Sequence, residues 1–134
     1  MRKVPKRVAL RRLEKKADKA LSLYIRALTK SLYDGCPLCK ENPVQACFHF
    51  IRRRRKVLRW DPRNVIGSCH KCNWVEYRFP DPSRAWYIRT FGVEQYLELV
   101  DKSAEQFQPT PEFLAGVIMA CEKALSEVGG KRAD

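Results

Sequence analysis

The chain has 134 residues, 45% of them hydrophobic, and carries 27 lysines and arginines against 15 aspartates and glutamates, for a formal net charge of +12. That length suits a single domain, or a small centre with helical additions. No apolar run is long enough to serve as a transmembrane span. The basic start Met1-Arg2-Lys3-Val4-Pro5-Lys6-Arg7 lacks the apolar segment that an export signal requires.

The charge is uneven. Residues 1–93 hold +16 and residues 94–134 hold −4. A basic body with a mildly acidic end points to a polyanionic partner met by the first two thirds of the chain. A membrane surface would attract the same charge, but no lipidation signal or amphipathic anchor accompanies it.

Residues 6–33 read as one long helix. Leu10, Leu13, Ala17, Leu21, Tyr24, Leu28 and Leu32 recur at steps of three or four and form one apolar stripe. Arg7, Arg11, Arg12, Lys15, Lys16 and Lys19 occupy the rest of its first half. With only Glu14 and Asp18 as acids, that face is expected to stay positive and to meet phosphates. Gly35 ends the segment, where a residue without a Cβ can take the left-handed turn.

Ala46 to Ile51 reads as a short strand, and Val57-Leu58 as the start of its return strand. Asp61-Pro62-Arg63-Asn64 reads as a turn, Val65-Ile66-Gly67 as the lead into the next motif, and Cys69 to about Phe79 as a short helix. Three helices are expected to follow. The first is capped by Asp81, with Pro82 as its first helical residue, and ends at Gly92. The second has Val93, Tyr96, Leu97, Val100, Ala104 and Phe107 as its stripe. The third is capped by Thr110, buries Leu114, Val117, Ile118, Cys121, Leu125 and Val128, and stops at Gly129-Gly130 before a disordered tail.

Two cysteine knuckles dominate the middle of the chain. Cys36-Pro37-Leu38-Cys39 and Cys69-His70-Lys71-Cys72 are separated by 29 residues. Four thiolates close a tetrahedral zinc site without strain. In a basic chain with no export signal, the pattern favours a structural Zn²⁺ over disulfides. Cys47 and Cys121 read as small buried hydrophobes.

The insert between the knuckles carries the chemistry. It holds His49, the run Arg52-Arg53-Arg54-Arg55-Lys56, Arg59-Trp60 and Asn64, and the second knuckle runs straight into Asn73. A histidine beside a divalent ion can activate a water against a phosphodiester. Arg52, Arg53, Arg54, Arg55, Lys56 and Arg59 are the candidate DNA contacts. His49, Asn64 and Asn73 are the candidate catalytic residues, with Asn64 also explicable as a turn residue. His70 reads as exposed or as a phosphate contact. Trp60 reads as core. Core burial is also the favoured reading of Trp74 and Trp86, with stacking on unpaired bases as the alternative.

Several stretches carry a family resemblance: Cys36-x-x-Cys39, Ala46, His49-Phe50-Ile51-x-Arg53-Arg54, Arg59-Trp60-Asp61-x-Arg63-Asn64-Val65 and Cys69-x-x-Cys72-Asn73. Ala17-Asp18-x-Ala20-x-Ser22-x-Tyr24-Ile25-Arg26 and Tyr87-Ile88-x-x-x-Phe91-Gly92 extend it over roughly residues 10–100. The pattern resembles the phage NinG (Rap) recombination endonucleases, which are related to HNH (ββα-metal) nucleases. The resemblance implies an α+β fold: a zinc-stapled ββα-metal unit over residues 36–79, a basic N-terminal helix over 1–35 and C-terminal helices over 80–134, in one compact domain. It further implies Mg²⁺ or Mn²⁺ as catalytic ion, branched or single-stranded recombination DNA as substrate, phage recombination proteins as further partners, and the bacterial host cytoplasm as location. In this sequence Gln45-Ala46-Cys47-Phe48 precedes His49, where many HNH sites place a carboxylate or histidine ligand. That leaves two alternatives: a zinc-stabilised nucleic-acid-binding protein without catalysis, or an adaptor for a host protein.

Overall fold

The computed structural model describes residues 4–132, without the side chains of 76, 77 and 129–132. The reading of Met1 to Lys3 and the expectation of a disordered tail at 133–134 therefore fall outside the described residues. The fold is mixed: helices surround one small two-stranded sheet, as the α+β expectation required.

Helix α1 spans Lys6–Leu32. Its buried positions are Glu14, Ala17, Leu21, Ile25 and Thr29. Of the expected stripe, Ala17 and Leu21 are buried, Leu10, Leu13, Tyr24 and Leu28 are half-buried and Leu32 is exposed, because toward its C-terminus the helix turns Ile25 and Thr29 to the sheet instead. The last helix packs along α1. It spans Pro111–Arg132 and is called α6 here because of its place in the chain. Leu114 and Cys121 of α6 join Ala17, Leu21, Ile25, Trp60 and Val65 in the main core. Thr110 caps α6 as expected, its Oγ1 accepting from Phe113 N at 3.1 Å. The glycine pair does not stop α6. Glycine lowers helix stability by about 1 kcal/mol relative to alanine without barring the helix, and Val128, buried just before the pair, anchors the last turns.

Strands β1 (Ala46–His49) and β2 (Val65–Ser68) pair antiparallel, with His49 opposite Val65 and Ala46 opposite Ser68. The return strand is thus not at Val57-Leu58. That segment lies in a single helical turn, α2 (Lys56–Arg59). The physical reason is charge. A helical turn brings Lys56 and Arg59, three residues apart, to one side. Both reach Glu14 of α1, at 3.1 and 3.7 Å. A strand would send their side chains to opposite faces. Leu58 meanwhile buries completely against Tyr87 and Leu99.

Asp61 caps a 3₁₀ turn, Pro62–Asn64, by accepting from Arg63 N at 3.0 Å. Helix α3 follows β2 and spans His70–Arg78. Helix α4 spans Asp81–Phe91, with Asp81 inside the first turn rather than at the cap. There it pairs with Arg84, three residues on, at 3.2 Å. Helix α5 spans Val93–Ser103, so Phe107 lies beyond its end. The buried face of α5 also differs from the expected one. Leu99 is fully buried, while Val93, Leu97 and Val100 are exposed. Polar anchors decide this rotation. Gln95 donates to the Tyr87 hydroxyl at 2.7 Å and Lys102 to Asp61 at 3.1 Å, and both share a face with Leu99.

The sheet meets α1 at very short range. Gly67 N donates to Thr29 Oγ1 at 2.8 Å, and that hydroxyl donates to Ile25 O at 2.8 Å. A Cβ at Gly67 would lie 2.7 Å from Val44 Cγ1 and 2.8 Å from Thr29 Cβ. Gly67→Ala should therefore push α1 off the sheet and cost about 1–3 kcal/mol. Urea unfolding of the metal-loaded protein measures this, and an unchanged midpoint would show that the contact can relax.

Candidate functional site

Four cysteines converge between the end of α1 and the start of α3. The Sγ atoms of Cys36, Cys39, Cys69 and Cys72 all lie within 4.8 Å of one another. A tetrahedron with Zn–S bonds of about 2.3 Å has edges of about 3.8 Å, and Cys39 Sγ lies 3.8 Å from Cys69 Sγ. The surroundings suit thiolates. Glu41 N and Asn42 Nδ2 point at Cys39 Sγ, Asn42 Nδ2 also reaches Cys69 Sγ, and Cys72 N donates to Cys69 Sγ at 3.3 Å. Burial pushes the Cys36 and Cys72 thiols up. At Cys39 burial works the same way, but amide hydrogen bonds from Glu41 and Asn42 outweigh it and bring the thiol down to about 7. Four thiols this close repel one another as they ionise, and a divalent cation removes that conflict. The cluster can hold a metal ion such as zinc.

Local backbone geometry builds the first knuckle. Gly35 has φ +97°, and a Cβ there would meet Asn42 O at 3.1 Å. Cys36 N donates to that same carbonyl at 2.8 Å. Cys69 is the N-cap of α3, so whatever holds the cysteines also fixes where α3 begins. Gln45 adds a second hold, its side-chain oxygen accepting from His70 N at 3.2 Å.

Beside the cluster lies a cleft of about 710 Å³. Its walls come from α1 (Asp18, Lys19, Leu21, Ser22), β1 (Ala46 to His49), the following loop (Arg52, Arg53) and α3 (His70, Asn73, Trp74). His49 and Asn73, distant in sequence, thus face one space. His70, Asn73 and Trp74 stand at i, i+3 and i+4 on one helical face. That periodicity was available in the sequence and identifies His70 and Trp74 as wall residues. Trp74 is not core: it is 63% exposed. Trp60 is core, and Trp86 stacks on Phe50 with centroids 5.9 Å apart.

His49 is held by its Nε2, which lies 2.9 Å from the Arg59 carbonyl. A carbonyl only accepts, so Nε2 carries the proton and Nδ1 keeps its lone pair in the neutral ring. Burial pushes the His49 pKa down, and the Arg53 and Arg59 charges add to it, against the opposing pull of the Arg59 carbonyl and Asp18. Phe48 is buried with its ring 5.2 Å from Phe50 and can bind no ion.

Asn64 has a different place from the other two candidates. It is completely buried and joins the two ends of the arginine-rich loop, Ile51 and Leu58. Its Nδ2 donates to Ile51 O at 2.8 Å and Leu58 O at 3.2 Å, while its Oδ1 accepts from Ile51 N at 2.8 Å. It shapes the loop and does not line the cleft.

The basic run divides in two. Arg59 forks onto Asp18, which also accepts from Arg53 at 3.0 Å and from Trp60 Nε1 at 2.9 Å. Lys56 sits 3.1 Å from Glu14, a carboxylate only 5% exposed. Contrary to expectation, the acids of α1 neutralise much of the insert. Arg54 and Arg55 stay exposed, and no ion pair joins them to another described residue. Cys121 is a core residue as expected, and Cys47, half-buried against the same core, also lines the cleft, its thiol pushed up to about 12 by burial.

No helix among the described residues is long and apolar enough to cross a membrane. No family model, curated protein or solved structure matches this chain.

Two outcomes are expected. Metal analysis should find one zinc per chain, and Cys69→Ser should lose both the metal and cooperative unfolding; a folded, metal-free wild-type protein would refute this. Arg59→Ala should cost about 1.5–3 kcal/mol in urea unfolding, because Asp18 loses its two-pronged partner while keeping Arg53 and Trp60, and Glu14 keeps Lys56. Arg54→Ala and Arg55→Ala should each stay within about 0.5 kcal/mol.

Proposed function

We propose that this chain is an HNH-type DNA endonuclease in which His49 is the general base. One observation carries the reading: Nε2 of His49 is tied to the Arg59 carbonyl, leaving Nδ1 as the proton acceptor in a cleft that Asn73 also lines. In this reading Nδ1 takes a proton from water, and the resulting hydroxide attacks phosphorus as the bridging oxygen departs. Arg52 offers a cation to the phosphate at the same wall. Asn64 acts at a distance, by fixing the loop that carries the Arg59 carbonyl.

The cleft fits a catalytic divalent ion only in part. Asn73 and His70 supply two donors on one helical face, and the nearby carboxylate of Asp18 is taken up by arginines. Water and phosphate oxygens would complete the shell, as Mg²⁺ tolerates. Bound there, such an ion would neutralise charge building on the phosphate. The resemblance to the NinG endonucleases supports branched or single-stranded recombination DNA as substrate, a phage setting in a bacterial cytoplasm, and recombination proteins as partners.

A second reading rests on Phe48 and Asp18. Phe48 carries no donor atom, and the Asp18 carboxylate is engaged by Arg53, Arg59 and Trp60, so neither is available to ligate an ion. This favours a zinc-stabilised DNA-binding protein without catalysis. Cleavage of branched, duplex and single-stranded DNA with Mg²⁺ or Mn²⁺ decides between them. For the nuclease, His49→Ala should slow cleavage about 10²–10⁴-fold and leave DNA affinity unchanged. The lowered His49 pKa places the acid limb of the rate profile below the ordinary value of 6.5, because protonation at lower pH removes the base. Tight binding with no cleavage by the wild type would select the second reading.

A further inference from the structure

Trp74 lines the cleft one helical turn after His70, yet its ring is 63% exposed. It takes no part in the aromatic cluster around Phe50 and Tyr87. Burying an indole ordinarily stabilises a fold by a few kcal/mol, so leaving one in water at a cleft wall forgoes that gain. The ring is nevertheless held: the Arg78 guanidinium lies 5.2 Å from its centroid. That contact steadies the indole and sets a positive charge against its ring. Arg52 and Lys19 add further positive charge to the opposing walls. A flat, braced, water-exposed aromatic surface between cations matches the chemistry of a nucleotide, with a π-face for the base and cations for the phosphates on either side.

We propose that Trp74 is a stacking platform for one unpaired base next to the phosphate held in the cleft, and so determines that the strand entering there is unpaired. The inference rests on the reading of the cleft as a nucleic-acid site. In a duplex both faces of every base are covered by neighbours, and an indole cannot stack without first displacing one. A single strand or an open junction presents the face freely. Trp74 is thus a specificity-determining residue, separate from the proton chemistry of His49.

The test uses the full, metal-loaded chain and two probes: a short oligo-dT strand and a hairpin duplex of similar length. The wild type should bind oligo-dT with quenching of tryptophan fluorescence. Trp74→Ala and Trp74→Leu should weaken oligo-dT binding about 10- to 100-fold and abolish most of the quenching. Trp74→Phe, which keeps a π-face, should retain most of the affinity. Hairpin affinity should change by less than about twofold in all three. Metal content and melting temperature, compared across the variants, separate a binding defect from unfolding, and Trp74→Phe reports on stacking even where Trp74→Ala destabilises. If oligo-dT binds the wild type and Trp74→Ala equally well, or if both probes weaken alike, the platform is refuted and the nuclease reading stands. If the wild type binds neither probe, both fall.

Discussion

Two carboxylates on one helix organise the centre of this protein. Glu14 and Asp18 are four residues apart on α1, so they project from the same face. Between them they engage Lys56, Arg53, Arg59 and the Trp60 indole, all from the connection between β1 and β2. That connection would otherwise be a loop of like charges. Held by the two acids, it folds into a helical turn. The turn presents the Arg59 carbonyl to His49, so the tautomer of the histidine is set by an ion pair on another element. Asn64 completes the frame from within, bridging Ile51 and Leu58 through its carboxamide.

This arrangement changes what the positive charge of the chain means. A run of five basic residues suggests a uniform electrostatic surface, but here its members differ in role. Lys56, its last member, and the nearby Arg59 serve the fold, because carboxylates from α1 meet them. Arg53 is shared between Asp18 and the cleft. Arg52 to Arg55 are all exposed, and Arg54 and Arg55 have no ion pair with another described residue, so their charge acts at long range and is salt-sensitive.

Much of this was legible in the sequence, and the gaps have physical causes. Spacing alone located the cysteine cluster, because CxxC pairs and tetrahedral coordination constrain each other tightly. Periodicity located α1 and α6, whose apolar stripes are long. The short elements were harder. Val57-Leu58 looks like strand by composition, and only the position of Glu14 in space makes it helical. On α5 two apolar faces compete, and the choice falls to Gln95 and Lys102, whose partners lie far away in sequence. Asn64 could not be separated from a turn residue by sequence, since its three hydrogen bonds are to backbone and leave no pattern in residue type.

The Thr29–Gly67 contact has a consequence for the cleft. α1 is a single rigid rod, tied to β2 at Thr29 and to the insert at Asp18, about sixteen ångströms apart along its axis at 1.5 Å per residue. A rod fastened at two points can neither tilt nor roll about its fastening. One jaw of the cleft is therefore preset, a surface that needs no ordering before anything enters. The other jaw, α3, hangs from the cysteine cluster through its own N-cap. A metal ion in that cluster would stiffen α3 beyond what the Gln45–His70 hydrogen bond provides, so the two jaws differ mechanically: one is clamped by hydrogen bonds and ion pairs, the other would be clamped by a ligand that can be withdrawn.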